Sequence, residues 1–256
     1  AAPTQRPSRR MAIIHALLDL ILAPVCLGCD GLIAPGDTAR LVCRRCRSRL
    51  RRPPSPLCPR CGAPKRMTGI ESDSFTCPEC REWPDALRFA RSACLLEAPA
   101  DRLVHQLKYR GWRALGGPLG ERMASVTWPP EAHERAVMTA VPTTDRRQRE
   151  RGYNQAQLLA ESLAHATSRD VLPLLRRVSG SRTQTALQPA ARAANVAGAF
   201  APVADVTGMH VILVDDVLTT GATAAECAGV LAAAGACCVR LITFVRAFEI
   251  RGLTLQ

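Results

Sequence analysis

The stretch that decides the fold is residues 211–223, Val-Ile-Leu-Val-Asp-Asp-Val-Leu-Thr-Thr-Gly-Ala-Thr. Four consecutive apolar residues without alternation are typical of a strand that is buried on both faces, as in a parallel sheet. Ligands of open α/β sheets bind beyond the carboxyl ends of the strands. We therefore expect Asp215 and Asp216 to face a ligand at that edge.

A small, hydroxyl-rich turn follows the two acids and leads into a helical pattern. It consists of Thr219, Thr220, Gly221, Ala222 and Thr223. Backbone N–H groups and hydroxyls in such a turn bind anions, with the positive end of the helix behind them. The acids and the turn together predict a ligand that carries a phosphate and a sugar diol. The alternative is that the acids only cap the helix.

The chain around this stretch alternates strand and helix patterns. We predict, in order, a hairpin near 88–98, helices within 101–125, a strand at 136–141, a helix at 154–166, a strand at 211–214, a helix at 221–234 and a last strand at 238–245. Such alternation predicts an α/β fold in which a parallel sheet is flanked by helices. The polar stretch 176–198 is a candidate flap over the site.

A second polar segment follows the predicted strand at 136–141 and should reach the same edge of the sheet. Its arginines can supply guanidinium groups to a pyrophosphate. They are Arg146, Arg147, Arg149 and Arg151, and their spacing leaves open which of them face inward.

The preferred site members of this segment open the next helix at the binding edge. They are Arg151, Tyr153, Asn154 and Gln155. The alternative is that Asn154 caps that helix and Tyr153 packs in the core. Lys108 is a further candidate from its own helix, with exposure to solvent as the alternative.

Eight of the twelve cysteines form four Cys-x-x-Cys pairs. The pairs are Cys26 with Cys29, Cys43 with Cys46, Cys58 with Cys61 and Cys77 with Cys80. A two-residue gap lets a tight turn aim both sulfurs at one ion, so four pairs predict two structural zinc sites with four thiolates each. The simplest assignment joins the first pair to the second and the third to the fourth, and a crossed assignment stays open.

The other four cysteines lie in apolar surroundings and are predicted to be core residues. They are Cys94, Cys227, Cys237 and Cys238. We place domain boundaries at 1–25, 26–85 and 86–256. The first range combines a disordered lead with an amphipathic helix from Met11, which is too short to span a bilayer, so no transmembrane segment is expected.

The formal net charge of +12 favours a polyanion as partner. The excess is concentrated at the front, where residues 1–91 hold 16 Lys/Arg against 8 Asp/Glu. Within residues 44–52, six arginines form a dense basic stretch between the second and third cysteine pairs. Phosphate contacts and a merely solvated face are equally good interpretations of that stretch.

The order of buried strand, two acids and Thr-Thr-Gly-x-Thr turn resembles the type I phosphoribosyltransferase family. That resemblance implies that the chain binds phosphoribosyl pyrophosphate with magnesium. It also implies that Asp215 and Asp216 hold the ribose hydroxyls and that residues 219–223 cradle the 5′-phosphate. Transfer of the phosphoribosyl group, and its acceptor, are left open.

Further motifs resemble the ComF family of competence-related proteins. They are the cysteine pairs, Leu107 to Tyr109, Val141 to Asp145, Arg149 to Ala156, and a later pattern of Thr183, Gln184, Arg192, Asn195, Gly198, Ala199 and Phe200. The resemblance implies a double zinc-ribbon module before a phosphoribosyltransferase-like domain, in a cytoplasmic protein of DNA uptake or utilisation. It also implies single-stranded DNA and other DNA-uptake proteins as partners. The alternative function is a non-catalytic single-stranded-DNA-binding adaptor that uses the same fold.

Overall fold

The computed structural model describes residues 24–34, 37, 40–65, 77–127, 135–178 and 198–248. Its centre is a four-stranded parallel sheet, and a two-stranded antiparallel sheet lies beside it. The strands are β1 Leu87–Leu95, β2 Val137–Ala140, β3 Leu175–Arg177, β4 Phe200–Pro202, β5 His210–Leu218 and β6 Cys238–Arg246. The large sheet has the order β1-β6-β5-β2, and the small one pairs β3 with β4. The predicted α/β fold with a parallel sheet is confirmed.

Helices cover both faces of the large sheet, and the alternation of side chains along β5 shows how. They are α1 Arg44–Ser48, α2 Ala100–Tyr109, α3 Gly116–Ala124, α4 Asp145–Arg151, α5 Gln155–Thr167 and α6 Ala222–Ala233, with a 3₁₀ turn at Arg113–Leu115. Ile212 and Val214 pack into a core with α3 and α5, whereas Val211 and Leu213 pack into a second core with α6. Burial on both faces explains why this strand shows no polar alternation.

Each half of the cysteine module belongs to a different one of these cores. Cys26, Cys46 and Leu50 join the core under α3 and α5. Cys58 and Cys61 join the core under α6. The module is therefore packed against the sheet rather than tethered to it by a linker.

The predicted hairpin near 88–98 is wrong. Residues 87–95 form one continuous strand that pairs in parallel with β6, from Leu87 opposite Val239 to Leu95 opposite Arg246, with a register shift between Leu87 and Phe89. The apolar run continues through Ala93, Cys94 and Leu95 without turn residues. Its partner strand is about 150 residues away in sequence, which no local pattern indicates.

The strand predicted at 211–214 is longer than expected, because β5 stays hydrogen-bonded to β6 as far as Leu218 opposite Arg246. The two acids therefore lie within the last part of the strand. The predicted helices within 101–125, at 154–166 and at 221–234 are confirmed, as are the strands at 136–141 and 238–245. Helix α4 was not predicted; Thr144 caps it by accepting a hydrogen bond from the Arg147 amide at 3.2 Å.

Three of the four remaining cysteines are buried as predicted, namely Cys94, Cys227 and Cys238. Cys237 is exposed, because it lies in the connection just before β6 begins. The amphipathic helix from Met11 falls almost wholly outside the described residues, and so does most of the candidate flap at 176–198. Among the described residues, no helix is both long and apolar enough to cross a membrane.

The close packing of α3 on α5 yields a prediction for Gly120→Ala. A Cβ atom at this position would lie 2.5 Å from the Cβ of Ser162 and 3.1 Å from the Leu163 amide nitrogen. We expect the variant to lower the free energy of unfolding by about 1–3 kcal/mol, measured by urea denaturation of zinc-loaded protein. Gly117→Ala on the same helix is the control, because nothing lies within 4 Å of its Cβ. Equal stability of the two variants would contradict the packing.

Candidate functional site: an acidic pair, a phosphate loop and two thiolate clusters

Asp215 and Asp216 lie near the carboxyl end of β5, and a lysine from another element joins them. The Nζ atom of Lys108 lies 3.0 Å from Oδ1 of Asp216, and only 9% of that aspartate side chain is exposed. Lys108 belongs to the last turn of α2. The structure thus brings together three of the predicted site residues, and the predicted approach of Lys108 to this edge is observed.

The acidic pair has unusual electrostatics. Burial and, next to it, the adjacent Asp216 carboxyl group together raise the pKa of Asp215 to about 8. The Asp216 amide opposes this by donating to Oδ1 of Asp215 at 2.8 Å. The raised pKa favours the protonated form of Asp215, while Asp216 lies beside the Lys108 ammonium group. A protonated carboxyl group can both donate hydrogen bonds to hydroxyls and accept them.

The turn after β5 begins α6 in a form that suits an anion. Gly221 caps the helix in the left-handed region, with φ of +79°. Thr219 is exposed, and the hydroxyl of Thr220 accepts from the Ala222 amide at 3.4 Å. The Ala222 amide is thus engaged by that hydroxyl, while the amides that follow it in the first turn of this 12-residue helix have no partner within the helix and suit a phosphate.

Trp83 packs directly against this turn, and sequence reasoning missed it. Its indole Nε1 donates to the carbonyl oxygen of Thr220 at 3.1 Å. A Cβ atom on Gly221 would lie 2.4 Å from Cζ2 of the indole, so only glycine fits there. The one available signal was a tryptophan three residues after Cys80 in a chain with only 4% aromatic residues.

The segment around Tyr153 adopts the packing and capping geometry that was the alternative interpretation. The Tyr153 side chain is buried, and its hydroxyl donates to the carbonyl of Leu107. Asn154 caps α5 by accepting from the Ala156 amide at 3.1 Å, and its Nδ2 donates to the Val141 carbonyl at 3.0 Å. These contacts hold the neighbour of Lys108 and the end of β2 in place. Direct contact of Tyr153 or Asn154 with a ligand stays a prediction.

Gln155 and Arg151 differ from those two residues. Gln155 is buried, and its Nε2 atom has no hydrogen-bond partner among the described residues. A buried donor of this kind is costly unless a ligand or water satisfies it. The guanidinium of Arg151 stacks 5.0 Å from the centre of the Tyr109 ring, beside Lys108. Direct contact of Gln155 or Arg151 with a ligand stays a prediction.

The other arginines of this segment lie on an exposed helix. No residue of α4 is buried, and Arg146 is paired with Glu150 at 2.7 Å on the same helix. The structure places Arg147 and Arg149 at the surface without bringing them into contact with the acidic pair. Their role at a pyrophosphate stays a prediction.

The eight paired cysteines form two clusters. In each cluster the four sulfur atoms lie within 4.8 Å of one another, and the pairs combine in sequence order. The clusters are Cys26, Cys29, Cys43 and Cys46, and Cys58, Cys61, Cys77 and Cys80. The simplest predicted assignment is confirmed, and the crossed one is excluded.

The spacing of these sulfurs fits zinc. The distances are 3.9 Å for Cys29–Cys43, 3.9 Å for Cys58–Cys80 and 3.7 Å for Cys61–Cys77. Tetrahedral zinc with Zn–S bonds of about 2.3 Å requires about 3.8 Å. Backbone amides also point at the sulfurs, as from Gly28 to Cys26 at 3.3 Å. Both sites fit structural zinc, as predicted.

A buried arginine compensates the second cluster. Arg246 of β6 is 1% exposed, and its Nη1 atom donates to the Cys61 carbonyl at 2.8 Å. Its Nη2 atom lies 3.8 Å from the Cys61 sulfur and 3.7 Å from a carboxylate oxygen of Glu79. Four thiolates around Zn²⁺ carry a net charge of −2, so a buried cation beside them is favourable.

Two known domain families match the chain, one over the cysteine module and one over the part that follows it. The phosphoribosyl transferase domain family matches residues 129–251, and the double zinc ribbon domain family matches residues 17–81. Among solved structures, a glutamine phosphoribosylpyrophosphate amidotransferase from B. subtilis is 24% identical with a TM-score of 0.36, over 51% of this chain and 26% of that one.

Two curated relatives extend over most of the chain. DNA utilization protein YhgH of Salmonella typhimurium (strain LT2) is 33% identical over 208 residues, which is 78% of this chain and 88% of that protein. Competence protein ComFC of Bacillus subtilis (strain 168) is 27% identical over 221 residues, covering 79% and 88%. With its double zinc ribbon and its phosphoribosyltransferase fold, the chain belongs to the ComF family.

Proposed function

We propose that the protein binds phosphoribosyl pyrophosphate with magnesium at the carboxyl edge of its sheet and transfers the phosphoribosyl group to an acceptor. The main support for this proposal is the order of chemical groups at the end of β5. An acidic pair beside Lys108 is followed within a few residues by an anion-binding turn. A ribose phosphate presents a diol and a phosphate in the same order.

Each part of the site has a distinct task in this proposal. Asp215 and Asp216 hold the two ribose hydroxyls, and the protonated state of Asp215 lets the pair donate a hydrogen bond as well as accept them. The amides and hydroxyls of residues 219–223 hold the 5′-phosphate. Gln155 and Arg151 offer donors at the neighbouring strand end.

The reaction would break the bond between carbon 1 of the ribose and the pyrophosphate oxygen, which leaves with the bonding electrons. Positive charge develops on the ribose, and an acceptor atom then bonds to carbon 1. The protein need not supply a nucleophile, so its contribution is orientation and charge stabilisation. Magnesium on the pyrophosphate would neutralise part of the leaving charge. Carboxylate oxygens such as those of Asp216 are the ligand type that magnesium prefers.

The biological setting follows from the family. Relatives are named as DNA utilization and competence proteins. We place the protein in DNA uptake or utilisation in the cytoplasm, where it would work with single-stranded DNA and other proteins of that process.

The central prediction concerns ligand binding by zinc-loaded protein. We expect calorimetry to detect binding of phosphoribosyl pyrophosphate with magnesium. The double variant Asp215→Asn, Asp216→Asn should weaken it at least about 100-fold, because it removes both carboxyl groups that hold the ribose diol. Glu161→Gln is the control, since it replaces an exposed acid on α5. Absence of binding to the unaltered protein would contradict the proposal, and confirmed binding would justify screening bases for pyrophosphate release.

Exposed basic and aromatic residues favour a second candidate function, that of a single-stranded-DNA-binding adaptor without turnover. All six arginines of residues 44–52 are exposed, although Arg47 and Arg51 are paired with Asp37 and Glu97. Near the acidic pair, Tyr109 and Trp112 are 64% and 43% exposed, and they alternate with basic residues. Exposed aromatic rings among cations are typical of surfaces that bind single strands.

This second function predicts salt-sensitive binding to an oligonucleotide. Replacement of Arg44, Arg45 and Arg49 by serine should weaken binding and reduce the slope of log K against log salt by up to about 2. The measurement is fluorescence anisotropy at several salt concentrations, with calorimetry of phosphoribosyl pyrophosphate to show that the other site is unchanged. Undetectable or salt-insensitive binding would remove the adaptor function.

A further inference from the structure

The turn that is proposed to hold the 5′-phosphate is supported from behind by the cysteine module. Trp83 is 7% exposed and lies in the same core as Cys58, Cys61 and Cys80. Its indole donates to the Thr220 carbonyl at 3.1 Å. With that carbonyl held by the tryptophan, the backbone of the turn is fixed at the residue before the left-handed Gly221.

The fit between the indole and Gly221 is tight. Cζ2, Cε2 and Nε1 of Trp83 would lie 2.4, 2.7 and 2.8 Å from a Cβ atom at position 221. The ring therefore occupies the space where any other residue would carry its side chain. Without the ring this space would be a cavity directly under the turn, and the turn could rearrange into it.

Both halves of the second thiolate cluster hold Trp83 in this position. The Trp83 amide donates to the Cys80 carbonyl at 3.1 Å, which ties it to the fourth cysteine pair. Arg60 lies inside the third pair, and its Nη2 atom donates to the Trp83 carbonyl at 2.9 Å and to the Pro84 carbonyl at 2.7 Å. Its Nη1 atom donates to the Cys80 carbonyl at 3.1 Å.

The same cluster is also fixed to the strand edge next to the turn. Arg246 donates to the Cys61 carbonyl at 2.8 Å, and in the sheet it lies opposite Leu218, the last residue of β5. The Ala247 amide donates to the Leu218 carbonyl at 2.8 Å. The second cluster therefore contacts the β5–α6 connection from two sides, through Trp83 and through Arg246.

We propose that Trp83 is a positioning residue for the phosphate-binding turn, and that an intact second zinc ribbon sets the affinity for phosphoribosyl pyrophosphate. This inference rests on the proposed function of the turn. The first ribbon, at Cys26 to Cys46, belongs to the other core and makes no such contact among the described residues. Zinc in the second site acts through the protein: it fixes Cys58, Cys61, Cys77 and Cys80, and these fix Arg60 and Trp83.

The test compares full-length, zinc-loaded variants at one position. Trp83→Ala removes both the ring and the hydrogen bond, and Trp83→Phe removes the hydrogen bond but keeps a ring. We expect affinity for phosphoribosyl pyrophosphate with magnesium to fall at least about tenfold for alanine and less for phenylalanine. Glu82→Gln is the control, because the Glu82 side chain is 86% exposed. Two zinc ions per chain, measured by metal analysis, should be retained in all four proteins.

Zinc dependence is tested with Cys61→Ser, which should leave about one zinc per chain. It should weaken ligand binding to the same extent as Trp83→Ala, and the double variant should be no weaker than either single one, because both changes release the same turn. Unchanged affinity in Trp83→Ala with both zinc ions bound would overturn the inference.

A measurement without ligand separates this inference from the proposed function. Hydrogen–deuterium exchange of the unliganded protein should be faster over residues 217–226 in Trp83→Ala and Cys61→Ser than in the unaltered protein or Glu82→Gln. If the unaltered protein bound no phosphoribosyl pyrophosphate, the proposed function would fail, and the exchange rates would still show whether Trp83 positions the turn. Equal exchange rates in all four proteins would overturn the positioning role.

Discussion

The interaction on which the rest of the site depends is the ion pair between Lys108 and Asp216. Two adjacent carboxyl groups in a poorly solvated strand end would repel each other and lose hydration. The raised pKa of Asp215 favours its protonated form, and Asp216 is compensated at 3.0 Å by Lys108. Lys108 belongs to the last turn of α2, so its contact with Asp216 depends on how α2 is placed relative to the end of β5. Much of the neighbouring structure serves that requirement: Tyr153 holds the carbonyl next to Lys108, and Asn154 holds the end of β2.

The cysteine module imposes the second constraint. Segments with so few aliphatic residues cannot fold by apolar burial alone, so thiolate–metal bonds replace part of a core. Here the two clusters also contribute to the cores of the sheet, one on each face. The buried Arg246 then connects the charge of the second cluster to the last strand. The cysteine clusters are consequently joined to the sheet through packed side chains, and the turn after β5 lies beside the second cluster.

The parts of this arrangement that sequence could predict are those that rest on local patterns. Residues 211–223 contain the strand, the acids and the turn in one continuous segment, and the spacing of the cysteine pairs fixes the ligand sets. Lys108 was only a candidate from its own helix, with exposure to solvent as the alternative, and the structure shows its contact with Asp216. Strand β1 was missed because its partner β6 is remote in sequence, and the extent of β5 was missed because its two acids interrupt the apolar run four residues before the strand ends.

Trp83 and Arg246 were not predicted, for a related reason. Neither residue belongs to a motif, and both act through long-range contacts that only the folded chain creates. The exposure of Cys237 follows likewise from the exact start of β6, and element ends are set by tertiary hydrogen bonds rather than by composition. Tyr153 and Asn154 pack and cap, as the alternative interpretation held, and their hydrogen bonds support the end of α2 and the residue after β2.

The most direct measurement is a crystal structure of the zinc-loaded protein with phosphoribosyl pyrophosphate and magnesium. The account predicts ribose hydroxyls within hydrogen-bonding distance of Asp215 and Asp216, a 5′-phosphate on the amides of residues 219–223, and the indole of Trp83 still against Gly221. Electron density for the ligand at any other surface, or a ribose held without contact to the acidic pair, would contradict it.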